Sequence, residues 1–140
     1  MYQNSYSMLG GKDFDFTQAS TLDSINFLKL GLPVSMLDCA AKLMGMKKKH
    51  FISLIGGVYG SQYSRENDRL TLLESERMLM IIEVLAQAEQ YYGDINIALE
   101  WLNTPSISLE NEPPLTFLSS IEGIKSVKNS LVKLSHGMTA

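Results

Sequence analysis

Lys47-Lys48-Lys49-His50 is the longest run of basic side chains in the chain. Cations at this spacing can neutralise phosphates, and on a helix they bring neighbouring side chains to the base edges of a duplex. Lys47, Lys48, Lys49, His50 and Ser53 are the candidate DNA-binding residues, Ile52 is within the same reach, and Arg65 and Arg69 in the next loop could add backbone contacts. A merely solvated helix face is the alternative that the sequence leaves open. Catalysis has less to work with. His50 and His136 are the only histidines, and neither has an evident nucleophile or acid beside it. Glu74, Glu76, Glu83 and Glu89 are spread along one helical stretch, as a solvated face would be. Gly56-Gly57-Val58-Tyr59-Gly60 lacks the lysine and the preceding strand of a phosphate-binding loop. With Cys39 the single cysteine, a zinc site of the usual Cys/His kind lacks ligands. No catalytic residue, metal or cofactor is expected, and an enzyme is the class most disfavoured.

The elements that must position these groups read as helices throughout. Residues 1–20 are rich in Ser, Asn and Gly and are expected to form a flexible arm, with Phe14 and Phe16 able to pin it. A first helix begins near Ser20 or Thr21, carries Leu22, Ile25, Phe27 and Leu28, and stops at Gly31. Pro33 opens a second, lined by Val34, Leu37, Ala40, Ala41 and Met44 and ended by Gly45. A third follows almost immediately, with Phe51 and Leu54 on its inner face. Residues 37–56 resemble a helix-turn-helix: Ala41 and Gly45 stand four apart, and Leu37, Ala40, Met44, Met46, Phe51 and Leu54 fill the apolar positions. Residues 70–92 are the most helix-like stretch, and Met78-Leu79-Met80-Ile81-Ile82 is apolar all round. Such a segment must be surrounded, either by its own domain or by a second copy, so Met78, Leu79, Ile82 and the later Trp101 are the candidate dimer or core residues.

Gly93-Asp94 reads as a helix stop followed directly by a helix cap, and Asn103-Thr104-Pro105 ends the short helix between. Ser119 and Glu122 have capping-box spacing for a last helix, with Phe117, Ile121, Ile124, Val127 and Leu131 as its inner stripe. The expected architecture is all-α: a flexible arm at 1–20, a helix-turn-helix bundle at 21–70, and a long central helix leading into a helical binding module at 71–140. Charge divides along the chain, with 8 Lys/Arg against 6 Asp/Glu in residues 1–70 and 4 against 9 in residues 71–140. The halves thus suit different partners. No apolar run reaches the roughly 18 residues of a membrane span, and a cytoplasmic protein without a membrane partner is expected.

The second half carries a more specific signal. Glu74-Ser75-Glu76-Arg77, Ala86, Ala88, Tyr92-Gly93-Asp94, Ala98-Leu99-Glu100-Trp101-Leu102-Asn103-Thr104-Pro105, Pro114-Leu115, Glu122-Gly123 and His136-Gly137 together resemble the Xre/MbcA/ParS antitoxins, the partners of RES-domain toxins. The resemblance implies a homodimeric antitoxin that represses its own operon by binding operator DNA. It also implies a C-terminal module that occludes an ADP-ribosyltransferase-like, NAD-consuming toxin. On that basis Leu115, Lys125, Lys128, Lys133, His136 and Gly137 are the candidate toxin-binding residues. The chain departs from the family where Glu110-Asn111-Glu112-Pro113 stands in place of the usual Gly-Gly-Arg/Lys turn, and where Met80 replaces an arginine. A stand-alone helix-turn-helix regulator with a helical oligomerisation domain is the alternative reading.

Overall fold

Glycines and short polar side chains place the helix boundaries. The computed structural model describes residues 2–63 and 68–137, and every regular element among them is helical, so the described chain is all-α. Among the described residues, strand-like pairing is limited to isolated bridges at Pro33–Arg69 and Ser106–Glu112. The chain divides into two units, Met1–Ile82 and Glu83–Ala140, and the division falls within the longest helix rather than at residue 70. Among the described residues no helix is long and apolar enough to cross a membrane.

In the first unit, helix α1 (Gln3–Met8) occupies the region expected to be a flexible arm. The correction has an aromatic cause. Tyr6, Leu9 and Phe16 are buried, and Phe14 stacks on Phe27 with centroids 4.2 Å apart, inside a cluster that also takes in Tyr2, Tyr6 and Phe16. Buried rings remove on the order of 150–250 Å² each from water, enough to order a polar segment around them. Backbone groups follow: the Phe16 amide donates to Gln3 Oε1 (2.8 Å) and the Asp13 amide to the Tyr6 hydroxyl (3.3 Å).

Helix α2 (Thr21–Lys29) starts at Ser20, whose hydroxyl accepts from the Asp23 amide. Its expected inner stripe is only partly inner, because Leu28 is buried while Leu22 and Ile25 are 65% and 41% exposed. Gly31 then turns the chain with φ +82, and a Cβ there would lie 1.9 Å from the Leu70 carbonyl oxygen. That close approach lets the Leu70 amide donate to the Leu32 carbonyl (2.8 Å) and the Val34 amide to the Asp68 carbonyl (3.1 Å). The Leu32 amide donates instead to Ser75 Oγ (2.9 Å), a hydroxyl with no solvent exposure.

Helices α3 (Ser35–Leu43) and α4 (Lys48–Leu54) pack on each other across the expected tight turn. Gly45 adopts φ +65, its amide donates to the Lys42 carbonyl, and the Met46 amide donates to the Ala41 carbonyl. This is a Schellman closure, which satisfies carbonyls that a helix end leaves free. Phe51, Ile52 and Ile55 form the inner face of α4 and its end. Helix α5 (Leu72–Tyr92) opens on a reciprocal capping box, in which the Glu74 amide donates to Thr71 Oγ1 and the Thr71 amide to Glu74 Oε1. Met78, Leu79, Ile81 and Ile82 have no exposed surface in a single chain. These are core residues, and their burial needs no second copy.

In the second unit, Gly93 (φ +76) ends α5, and the Asp94 carboxylate accepts from the Asn96 and Ile97 amides at the start of helix α6 (Ile95–Leu102). Ala98 and Leu102 are buried, while Trp101 is half-buried and tilted against Tyr92 at 6.2 Å. Two 3₁₀ turns, Ile107–Leu109 and Pro114–Phe117, lead to helix α7 (Ile121–Ser135). Its cap is Ser120 rather than Ser119, the Ser120 hydroxyl accepting from the Gly123 amide (3.0 Å). Ile124, Val127 and Leu131 point inward as expected, whereas Ile121 is 44% exposed. Gly123 has a steric role, since a Cβ there would lie 1.8 Å from the Phe117 carbonyl oxygen.

Candidate functional site

Each unit presents one surface that could meet a partner. In the first unit it is the outer face of α4. Lys47, Lys49, His50 and Ser53 are all exposed there, as one side of a short helix would be. Lys48 departs from the expectation. Its ammonium donates to the Tyr63 carbonyl (2.8 Å) and pairs with Asp38 (3.3 Å), so it braces the following loop instead of facing outward. Ile52 is fully buried and cannot reach a base. Arg69 is exposed, but its guanidinium donates to the Gly31 carbonyl (2.9 Å), and Arg65 lies outside the described residues. The local field nevertheless stays positive, because residues 34–63 hold four lysines against the single acidic side chain Asp38.

Behind this face, the Tyr63 hydroxyl donates to Glu74 Oε2, the same carboxylate that closes the α5 cap. Burial, then the adjoining carboxylate, raises the Tyr63 phenol pKa above its ordinary value. The pair explains Glu74 and Ser75 as structural residues: one fastens the loop after α4, the other receives the Leu32 amide.

In the second unit the surface is α7 with the loop before it. The helical period puts Lys125, Asn129, Lys133 and His136 on one exposed crest. Lys125 pairs with Glu122 at 3.6 Å on the surface, Lys128 is half-buried at the edge, and Gly137 is exposed just past the helix end. Leu115 is half-buried in the second 3₁₀ turn, off the crest. Two hollows adjoin α7, the first beside the crest and the second on the side turned away from it. One, of about 240 Å³, is lined by Ser108, Glu110, Phe117, Ser126, Asn129 and Lys133. The other, of about 310 Å³, lies between Gln87, Gln90 and Tyr91 of α5 and Leu131 and Ser135 of α7.

The loop from 106 to 112 is held by its own hydrogen bonds. The Ser106 amide donates to the Glu112 carbonyl (3.1 Å), the Asn111 amide to the Ser106 carbonyl (2.9 Å) and the Glu112 amide to the Leu109 carbonyl (3.0 Å). A hydroxyl chain, Ser106 to Ser108 (3.2 Å) to Ser130 (3.1 Å), ties it to α7. Sequence reasoning missed these serines, because nothing in the spacing of residues 106, 108 and 130 marks them as a set. It also missed Tyr91, Ser126 and Asn129, which carry no charge and no motif. Among the described residues, no group of three His, Cys, Asp or Glu side chains is placed to hold a metal.

Comparison with known proteins bears on this second surface directly. Residues 87–137 match the Xre/MbcA/ParS C-terminal toxin-binding domain of antitoxins. Over 117 residues the chain is 26% identical to the antitoxin Xre of Yersinia enterocolitica, covering 81% of this chain and 79% of that protein. The antitoxin Xre of Photorhabdus laumondii is likewise 26% identical over 117 residues, covering 81% of this chain and 78% of the relative. The matched segment includes α6, the 106–112 loop, α7 and both hollows that adjoin it. The likeness to the Xre/MbcA/ParS antitoxins is thus most specific in the C-terminal toxin-binding domain and extends more weakly over most of the chain.

Proposed function

We propose that this chain is the antitoxin of a toxin–antitoxin pair, acting in the cytoplasm, which blocks a RES-domain, NAD-consuming toxin through the α7 crest and represses its own operon through α4. The match of residues 87–137 to a toxin-binding domain carries the first part. The crest supplies what a blocking surface needs: Lys125, Lys133 and His136 exposed in line, and Gly137 exposed at the end of the described chain. Leu115 and Lys128 lie beside this line and contribute at its margin. Inhibition by occupation asks for no catalytic group and no cofactor in the antitoxin. The positive α4 face supports the second part, with Lys47 and Lys49 on phosphates and His50 or Ser53 nearer the bases. A homodimer would place two such faces on paired half-sites. Since Met78, Leu79 and Ile82 are already buried, self-association would use other surface.

Growth and cellular NAD, measured with the product of the neighbouring open reading frame expressed alone and together with this chain, test the toxin reading. Co-expression of the full chain should restore both, and the two proteins should co-purify. A Lys125→Glu/Lys133→Glu variant with an unchanged thermal melt should lose the rescue. If the unaltered chain neither co-purifies with that protein nor protects the cell, the toxin reading fails.

A further inference from the structure

The loop after α4 presents two apolar side chains to solvent. Val58 is 80% exposed and Tyr59 57% exposed, and the Tyr59 hydroxyl has no partner among the described residues. This exposure is built rather than frayed. Gly56 (φ +89) and Gly57 close α4 in a second Schellman turn, the Gly57 amide donating to the Ile52 carbonyl (2.9 Å). A Cβ on Gly57 would lie 2.3 Å from the Tyr63 hydroxyl, so the backbone is pressed against the Tyr63–Glu74 pair. Gln62 donates to the Val58 carbonyl (3.1 Å) and Lys48 to the Tyr63 carbonyl (2.8 Å), bracing the loop from both ends. The lysine at the centre of the basic run thus holds this tip in place.

Resting on the DNA reading above, we infer that Val58 and Tyr59 form a second duplex contact, the Tyr59 hydroxyl donating to a phosphate while Val58 packs on the adjoining sugar. Charge complementarity and reach carry the argument. The tip follows directly on the helix that exposes Lys47, Lys49, His50 and Ser53, and no acidic residue lies between Asp38 and the end of the 3₁₀ turn Ser61–Tyr63. At about 1.5 Å per residue α4 spans roughly 10 Å, close to the major-groove width of about 12 Å. With Lys47 and Lys49 on one wall of the groove, the tip at the other end of α4 comes to the opposite wall. Tyrosine hydroxyls are regular phosphate donors, and such contacts fix register without reading sequence.

Binding of the full chain to duplex from upstream of its own gene, followed over a salt series, tests this. Tyr59→Phe should weaken binding roughly fivefold, as loss of one exposed hydrogen bond of ordinary net strength does. The salt slope should stay unchanged, because a neutral phenol displaces no counterion. Val58→Ser/Tyr59→Ser should weaken it about tenfold, with the thermal melt and toxin co-purification retained. Lys49→Glu should weaken binding and flatten the slope. If Lys49→Glu acts as stated while both tip variants bind like the parent, the tip inference is overturned and the DNA reading stands. If Lys49→Glu also has no effect, the DNA reading falls and the inference with it. A tip variant that changes sedimentation but not duplex affinity would assign the tip to self-association and overturn the inference.

Discussion

Gly45 in the first unit and the Glu110–Asn111 pair in the second hold nearly the same left-handed backbone, with φ +65 against 58 and 63. They do so for opposite reasons. Around Gly45 there is open space, so glycine is needed there for conformation alone, and the turn serves only to aim α4. Glu110 and Asn111 adopt a conformation that disfavours side chains by roughly 1–2 kcal/mol per residue, with asparagine the more tolerant. They are held in it by the hydrogen bonds of the 106–112 loop. In one unit the charges sit on a helix and the turn is relaxed; in the other the carboxylates sit on the turn itself. The second arrangement makes sense where the turn is part of the displayed surface, and this one borders the hollow beside the α7 crest.

The largest expected effects separate two glycines that need space from Gly45, which needs only its backbone angle. Gly123→Ala sets a methyl 1.8 Å from the Phe117 carbonyl oxygen, and Gly31→Ala sets one 1.9 Å from that of Leu70. Each should cost about 3 kcal/mol or more, because main chain rather than a flexible side chain must move. Gly45→Ala should cost about 1 kcal/mol, the left-handed penalty alone. Denaturant unfolding of the three variants checks the ranking. A Gly45→Ala loss as large as the other two would break the comparison.

The ranking also shows what was legible in the sequence. The glycine stops at residues 31, 45 and 93, the Asp94 cap and the inner faces of α3, α5 and α7 follow from local rules, because each depends on residues a few positions apart. Phe14 and Phe16 were legible as an anchor for residues 1–20, but helix α1 and the partner ring were not, since Phe14 and Phe16 find Phe27 only in the fold. Likewise the basic run was visible, but the diversion of Lys48 to Asp38 and Tyr63 depends on a loop whose path no spacing reveals. On the α7 side, the placement of Lys125 and Lys133 opposite the apolar stripe followed from helical period, while their candidacy as toxin contacts, with that of His136, rested on the family resemblance. The Ser106–Ser108–Ser130 chain followed from neither, because it joins residues far apart in sequence.

Charge reversal sharpens the contrast between the faces. Lys47→Glu/Lys49→Glu should reduce affinity for duplex from upstream of the gene by about thirtyfold at low salt and lower the salt slope by roughly 1.8. Glu110→Lys/Glu112→Lys should leave duplex binding within about twofold, yet weaken co-purification with the toxin if the turn is a contact. Anisotropy titrations and pull-down of the same purified variants would show whether the two surfaces are independent.

A smaller effect distinguishes the two kinds of lysine in one run. Lys48→Met removes a hydrogen bond and a half-screened ion pair, and should cost about 1 kcal/mol of stability. Lys49→Met removes neither and should leave the melt unchanged. Equal stability losses in the two variants would contradict the bracing role.

The smallest effect concerns the turn that opened the comparison. Glu110→Gly relieves the left-handed penalty but frees the unfolded chain as well, so the two partly offset. A net gain of about 0.5 kcal/mol is expected, a shift of roughly 1–2 °C in the melting temperature. Asn111→Gly should gain less, because asparagine already tolerates this conformation. The informative measurement is the melt beside the toxin affinity. A variant that melts higher and binds the toxin as well would make Glu110 a conformational burden without a counterpart. One that melts higher and binds less well would show that its carboxylate is retained for the contact, against the preference of the backbone that carries it.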